Sequence, residues 1–317
     1  MHVKKIKLSI GLTLILLLFI ISKGCSVREI TNYDLGLKYY KEGKYRTSLV
    51  YFTRAIFFYT DNARLYYLRA NANVQLGNNN KAIQDYTRAI KLLAETEYYE
   101  RRGLTYLAIG DYQFAINDFN DAIILDSTNL KLYFNRGYTQ SLLRNYEDAI
   151  SDYSQTILLD STNAKTFVNR GEIWSRMGQH EEAIRDFTIA ITLVPEDELA
   201  YYNRANEFVL IGKYEQAIDD FSNAIILNPE NAEYYFLRAN LKTGLDKFLS
   251  AAEDYTRIIE LEPGNGNAYY NRGICYANID LKVNACNDLN RAGEFGFFEA
   301  YELINKYCNN ESKIKEK

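Results

Sequence analysis

Five pentads carry the reading of this chain: Tyr133-Phe134-Asn135-Arg136-Gly137, Phe167-Val168-Asn169-Arg170-Gly171, Tyr201-Tyr202-Asn203-Arg204-Ala205, Tyr235-Phe236-Leu237-Arg238-Ala239 and Tyr269-Tyr270-Asn271-Arg272-Gly273, each starting 34 residues after the last. A second signature recurs within the same period, as Ala149-Ile150-Ser151-Asp152-Tyr153, Ala183-Ile184-Arg185-Asp186-Phe187 and Ala217-Ile218-Asp219-Asp220-Phe221. A fixed period of this length means stacked supersecondary units that bury their apolar faces against neighbours, not one closed core. It moves the question of function from catalysis toward surface recognition.

Two apolar patterns at helical spacing fill each period. In the fifth copy the first carries Phe167 at repeat position 4, Gly171 at 8 and Trp174 at 11, and a turn glycine, Gly178, follows at 15. The second carries Ala183 at 20, Phe187 at 24 and Ala190 at 27. Small residues at 8 and 20 let two antiparallel helices approach, and the ring at 24 fills the space beside them. Pro195, Pro229 and Pro263 at position 32 end the second helix, because proline cannot continue the hydrogen-bond ladder.

This pattern resembles the tetratricopeptide repeat (TPR), a helix-turn-helix unit. The resemblance implies an all-α, right-handed superhelical solenoid of about eight units plus a C-terminal capping helix. The units fall at 29–62, 63–95, 96–129, 130–163, 164–197, 198–231, 232–265 and 266–298, one of them a residue short between Ala94 and Thr96. Arg144 and Asp280 replace the turn glycine, and Thr156 and Ile258 replace the second-helix alanine.

Position 7 is arginine in seven repeats (Arg69, Arg102, Arg136, Arg170, Arg204, Arg238, Arg272) and position 23 is aspartate in the same seven (Asp85, Asp118, Asp152, Asp186, Asp220, Asp254, Asp288). The first repeat lacks both, having Leu35 and Tyr51. Their joint loss predicts a structural ion pair between the two helices of one repeat. Pairing across repeats would strand Arg69 and Asp288.

The N-terminus departs from the period. Lys4, Lys5 and Lys7 precede an apolar run from Leu8 to Ile21, then Ser22-Lys23-Gly24-Cys25. Such a run is short for a membrane span but suits a secretory signal. Glycine before cysteine after that run resembles a bacterial lipoprotein signal peptide. The resemblance implies a signal at 1–24, a lipidated Cys25 and a tether at 25–28. An uncleaved membrane anchor is the other reading. Ser26 is unlike the aspartate that retains some lipoproteins at the inner membrane, so the expectation is an exported, lipid-anchored protein, at the outer membrane rather than the inner. At the other end, Phe297 to Cys308 reads as an amphipathic capping helix with Phe298, Tyr301, Leu303, Ile304 and Tyr307 on its apolar face. It forms, with a polar tail, a segment at 299–317.

Without residues 1–24 the chain has 33 basic and 41 acidic residues, a net charge of about −8. That balance argues against nucleic acid. An exported setting permits disulfides. Antiparallel packing would bring Cys286 and Cys308 together as a bridge pinning the cap, the other reading being buried free thiols. The spacing does not suit a zinc site. Of the two histidines, His2 leaves with the signal and His180 sits at a turn. No nucleophile elbow, phosphate loop or metal-ligand motif occurs, so the expectation is a non-enzyme with no cofactor, no metal and no small-molecule substrate.

The resemblance puts positions 2, 5, 6, 9, 12 and 13 of the first helices on a concave face. Position 5 then offers Tyr67, Phe134, Tyr202, Phe236 and Tyr270; position 6 offers Asn135, Asn169, Asn203 and Asn271; position 9 offers Asn71, Asn206 and Asn240. A side-chain amide both donates to and accepts from a peptide backbone whatever its sequence. The same rings could instead pack against the next repeat, and the amides against a neighbouring helix. The full basic clamp of the chaperone-binding subset is missing. The expected function is a membrane-tethered scaffold or adaptor holding a protein or extended peptide in the groove. The alternative is a structural self-assembly factor of the cell envelope.

Overall fold

The structure is a computed structural model and describes residues 31–308. Cys25, the signal segment and the tail from Asn309 lie outside the described residues. Every regular element among those described is helical, and the chain divides into two compact units, Met1–Leu159 and Asp160–Lys317.

The first unit holds α1 (31–41), α2 (Tyr45–Phe58), α3 (Ala63–Gln75), α4 (Asn79–Leu92), α5 (Thr96–Ala108), α6 (Tyr112–Leu125), α7 (Leu130–Leu142) and α8 (Tyr146–Leu159). The second holds α9 (Ala164–Arg176), α10 (His180–Leu193), α11 (Glu198–Leu210), α12 (Tyr214–Leu227), α13 (Ala232–Gly244), α14 (Phe248–Leu261), α15 (Gly266–Asn278), α16 (Lys282–Glu294), α17 (Glu299–Leu303) and a π-helical turn, Ile304–Cys308. From α2 on, and within each unit, a helix packs chiefly on the helices before and after it. This is consecutive helical-hairpin stacking.

Local chemistry sets the boundaries. Asn62, Asn129, Asn163, Asp197, Asn231 and Asn265 each precede a first helix and accept a backbone N–H from its first turn. That satisfies donors the helix cannot pair itself. The repeat that is one residue short has Glu95 there, which makes no such bond. Between the helices of each hairpin, position 15 takes a left-handed backbone. Glycine fills it at Gly43, Gly77, Gly110, Gly178 and Gly212, whereas Arg144, Asp246 and Asp280 adopt it without being glycine. Asp246 joins the two departures read from the sequence.

A small residue at 20, a ring or leucine at 24 and a small residue at 27, replaced in repeat 7 by the buried Ile258, form the seam. Ala183, Phe187 and Ala190 are buried, as are Ala82, Tyr86 and Ala89. A Cβ added at Gly171 would lie 2.8 Å from the Phe187 ring, which is why position 8 stays small there. The seam closes at the C-terminal end where Ala300 and Ile304 cover Leu289 and Ala292. The cap differs from the expected single helix. It is one short helix followed by the π-helical turn; Phe298 is exposed, and Tyr301 is half exposed with its ring against Gly293. Phe298 stands at the helix N-cap, before the turn that presents Ala300 and Ile304 inward.

Candidate functional site on the first helices

The arginine at position 7 organises each hairpin. Nε and Nη2 fork onto the position-23 carboxylate in all seven repeats: for Arg136 and Asp152 at 2.9 and 2.6 Å, for Arg170 and Asp186 at 2.8 and 2.8 Å, for Arg204 and Asp220 at 2.8 and 2.7 Å. The same fork joins Arg69 to Asp85, Arg102 to Asp118, Arg238 to Asp254 and Arg272 to Asp288. The bidentate match of guanidinium to carboxylate lets these half-buried charges keep their partners.

A third contact went unread in the sequence. Nη1 of the same arginine donates to position 25 of the preceding repeat: Arg102 to Thr87, Arg136 to Asn120, Arg204 to Thr188, Arg238 to Ser222 and Arg272 to Thr256. One side chain thus ties its own hairpin and staples it to the one before. The signal was available, since position 25 is always Thr, Ser or Asn, but a lone hydroxyl on a helix carries no message until its neighbour is placed.

The candidate partner-binding residues separate into groups. Tyr67 is only 3 % exposed. Its ring stacks on Tyr98 at 4.8 Å and its hydroxyl donates to Glu97. Burial, then the Glu97 bond, pushes its pKa up to about 12. Tyr67 is core, not groove: besides the ring and carboxylate from repeat 3, the Arg64 guanidinium lies 4.7 Å over its ring. The other position-5 rings are half-buried against neighbours: Phe134 on Tyr153, Tyr202 on Phe221 and Tyr234, Phe236 on Tyr255, Tyr270 on Phe297.

Among the asparagines, Asn271 turns back to Asn267 on its own helix, and Asn240 accepts from Tyr255 Oη at 2.6 Å. Asn71 accepts from Tyr86 Oη at 2.5 Å in the same way. Asn135, Asn169 and Asn203 are partly exposed, and their side chains form no hydrogen bond among the described residues. These three keep both donor and acceptor free.

Within each unit, pockets open beside the first helices. In the first unit a pocket of about 170 Å³ is lined by Tyr40, Asn71, Gln75, Tyr86 and Arg101. In the second a pocket of about 310 Å³ is lined by Glu172, Ser175, Arg176, Asn203, Asn206 and Glu207, with Phe187 at its base. Glu207 is buried, accepts from Ser175 Oγ at 2.6 Å and lies 2.7 Å from His180 Nδ1. His180 is therefore a brace between repeats rather than a simple turn residue. Ser175 and His180 both address the carboxylate and not each other. Burial holds the Glu172 carboxyl above the ordinary glutamate range, with the Arg176 charge opposing. Among the described residues no group of His, Cys, Asp and Glu could hold a metal ion.

Cys286 and Cys308 are bonded, with Cα atoms 5.8 Å apart, joining α16 to the final turn. Cys275 is a buried free thiol beside Thr243.

The hairpin stack, the arginine staple and the amide-bearing first helices define a helical-repeat scaffold. Models of the tetratricopeptide repeat match residues 63–92, 130–163 and 199–231, and TPR repeats are what these segments and the fold support. The chain is 33 % identical over 101 residues to human "Tetratricopeptide repeat protein 6" and 36 % identical over 77 residues to the "NADPH oxidase activator" of Dictyostelium discoideum. Those alignments take in 32 % and 24 % of this chain but only 19 % and 13 % of the relatives, so the chain spans about a fifth or less of their length. Among solved structures, the C-terminal part of a TPR repeat-containing protein from Cytophaga hutchinsonii superposes with a TM-score of 0.66 at 18 % identity, over 75 % of this chain and 98 % of that one. A tetratricopeptide repeat protein from Parabacteroides merdae gives 0.56 at 19 % identity, over 78 % and 98 %. At that identity the likeness concerns the fold alone.

Proposed function

We propose that this chain is a non-enzymatic, membrane-tethered adaptor whose first-helix faces hold an extended peptide or a partner protein. The observation that carries this reading is the set Asn135, Asn169 and Asn203, part-exposed amides at one repeat position with no internal hydrogen bond. A polar side chain left unbonded in three of the four asparagines at this position, Asn271 being the exception, is suited to a backbone supplied from outside. The test is partner capture with Asn169→Ala and Asn203→Ala combined. Binding should fall at least tenfold, and unchanged binding refutes the groove.

Tethering rests on Cys25, after its apolar run. In this reading the protein is exported, lipidated there and held at the outer membrane. Cys25→Ser should abolish lipid labelling and release the protein from membranes. Persistence of both sinks the anchor.

A second reading, structural self-association within the envelope, has its own observation. Phe57, Ile124 and Leu158 in the first unit and Ile226 in the second occupy position 29 of their repeats and are each more than three-quarters exposed. Light scattering of the Ile124→Ser and Leu158→Ser double variant tests it. If the native chain self-associates and this variant does not, the second reading is preferred.

A further inference from the structure

In repeats 2 and 7, position 24 is tyrosine and its hydroxyl is bonded to the position-9 side chain: Tyr86 to Asn71 and Tyr255 to Asn240. In repeat 5, position 24 is Phe187, which has no hydroxyl, and position 9 is Glu172. The internal donor has gone and a carboxylate stands where the amide was. Glu172 is half-buried and forms no hydrogen bond or ion pair among the described residues. A desolvated carboxylate without a partner is costly for the protein alone.

Its surroundings favour a cation. The pocket it lines, of about 310 Å³, carries a second carboxylate, Glu207, already fixed by Ser175 and His180. Arg176 at the rim is the opposing charge and is exposed. Asn203 adds a free amide oxygen, and the buried Phe187 ring supplies an apolar base for an aliphatic stem. An acid at this depth attracts a cation more strongly than a surface acid does, because water screens it less. The chain is acidic overall, with a net charge of −4, which favours approach of a basic partner.

We infer that the pocket formed by α9, α10 and α11 receives an arginine or lysine side chain of an extended partner peptide, with Glu172 as its counter-charge. This rests on the groove reading above and adds to it the chemistry of one subsite.

The chain has a single tryptophan, Trp174, two residues from Glu172 on the same helix, so its fluorescence reports on the site without a label. The probes are capped pentapeptides, Ala-Ser-X-Ser-Ala, in which X is arginine, lysine, citrulline or glutamate. They are titrated into the full chain. The arginine and lysine peptides should bind at least tenfold more tightly than the citrulline peptide, which keeps the shape of arginine without its charge. Glu172→Gln should remove that preference, whereas Glu196→Gln, an equal charge change at an exposed loop residue, should keep it. Phe187→Tyr, which returns a hydroxyl donor to Glu172, should weaken the preference. Circular dichroism confirms that each variant is folded. Equal binding of the arginine and citrulline peptides, or a preference that survives Glu172→Gln, overturns the inference. Equal binding of all four peptides would overturn it while leaving the groove in place. If none of the four binds, the inference falls, and the asparagine double variant decides the groove separately.

Discussion

Arg136 joins three helices through one guanidinium: two nitrogens hold Asp152 at 2.9 and 2.6 Å, and the third reaches Asn120 Oδ1 at 2.6 Å. Asp152 is buried, and its carboxylate has no other ion pair among the described residues. Removing Arg136 therefore leaves an uncompensated charge inside α7 and α8. Arg136→Leu should cost roughly 3–5 kcal/mol in urea unfolding. Arg136→Leu with Asp152→Leu should recover most of that, because both desolvated charges are then gone. A single-variant loss below about 1 kcal/mol would contradict the role given to the fork, which a buried pair broken on one side should not permit.

Arg144 sits at φ 62°, where its sister repeats use glycine. A Cβ in that conformation costs about 1–2 kcal/mol, and glycine returns about 0.5–1 kcal/mol through the freedom of the unfolded chain. Arg144→Gly should thus raise stability by about 0.5–1 kcal/mol. Gly178→Ala, at φ 72°, should lower it. Thermal melts of the two variants should shift in opposite directions.

The Cys286–Cys308 bridge closes a segment with a sequence separation of 22. The loop-entropy relation gives roughly 3 kcal/mol for a loop of that size. Cys286→Ser with Cys308→Ser should speed amide hydrogen exchange in α15, α16 and α17, since Ala300 and Ile304 would leave Leu289 and Ala292. Exchange in α9 to α12 should not change, because a repeat stack transmits stability mainly between neighbours. Loss of protection throughout the second unit would contradict this.

Burial raises the Glu172 carboxyl above its ordinary value. Its proton is therefore taken up at a higher pH than that of an exposed glutamate, and binding of the arginine peptide should fade on acidification before exposed glutamates titrate. The stability effect has the opposite sense. A raised folded-state value means that protonation favours the folded chain, so this residue's unfavourable contribution near neutral pH disappears as pH falls through that value. Glu172→Gln should accordingly be as stable as the native chain or slightly more so at pH 7. A melting temperature that drops in Glu172→Gln would contradict the burial argument.

Most of the fold was legible because the chain states it repeatedly. A small residue at 8, another at 20 and a ring or leucine at 24 mean little in one copy, yet they recur in phase from Ala70, Ala82 and Tyr86 to Gly273, Ala285 and Leu289. The arginine–aspartate forks could be read for the same reason, since both members vanish together in the first repeat. The groove was less legible. Tyr67 meets Tyr98 and Glu97, and Tyr202 meets Tyr234 and Glu233, yet Tyr67 is buried and Tyr202 only half-buried. Position 5 is the same in both, and so is the pair supplied by the next repeat; Arg64, 4.7 Å over the Tyr67 ring, has Leu199 as its counterpart in repeat 6. The cap was misread in detail because one apolar pattern fits a continuous helix or a short helix and a wider turn equally well.

By itself the sequence determined the hairpin, its period and its seam, because helix spacing, turn glycines and small-residue contacts are local properties that each copy repeats. The tertiary structure alone decided which polar side chains are spent and which are left over. Asn71 and Asn240 are satisfied by a tyrosine fifteen positions on, Glu172 is not, and Asn169 and Asn203 point to no internal donor. The reason is physical: a hydrogen bond needs two atoms within about 3 Å, and only the packing of one helix on the next sets that distance.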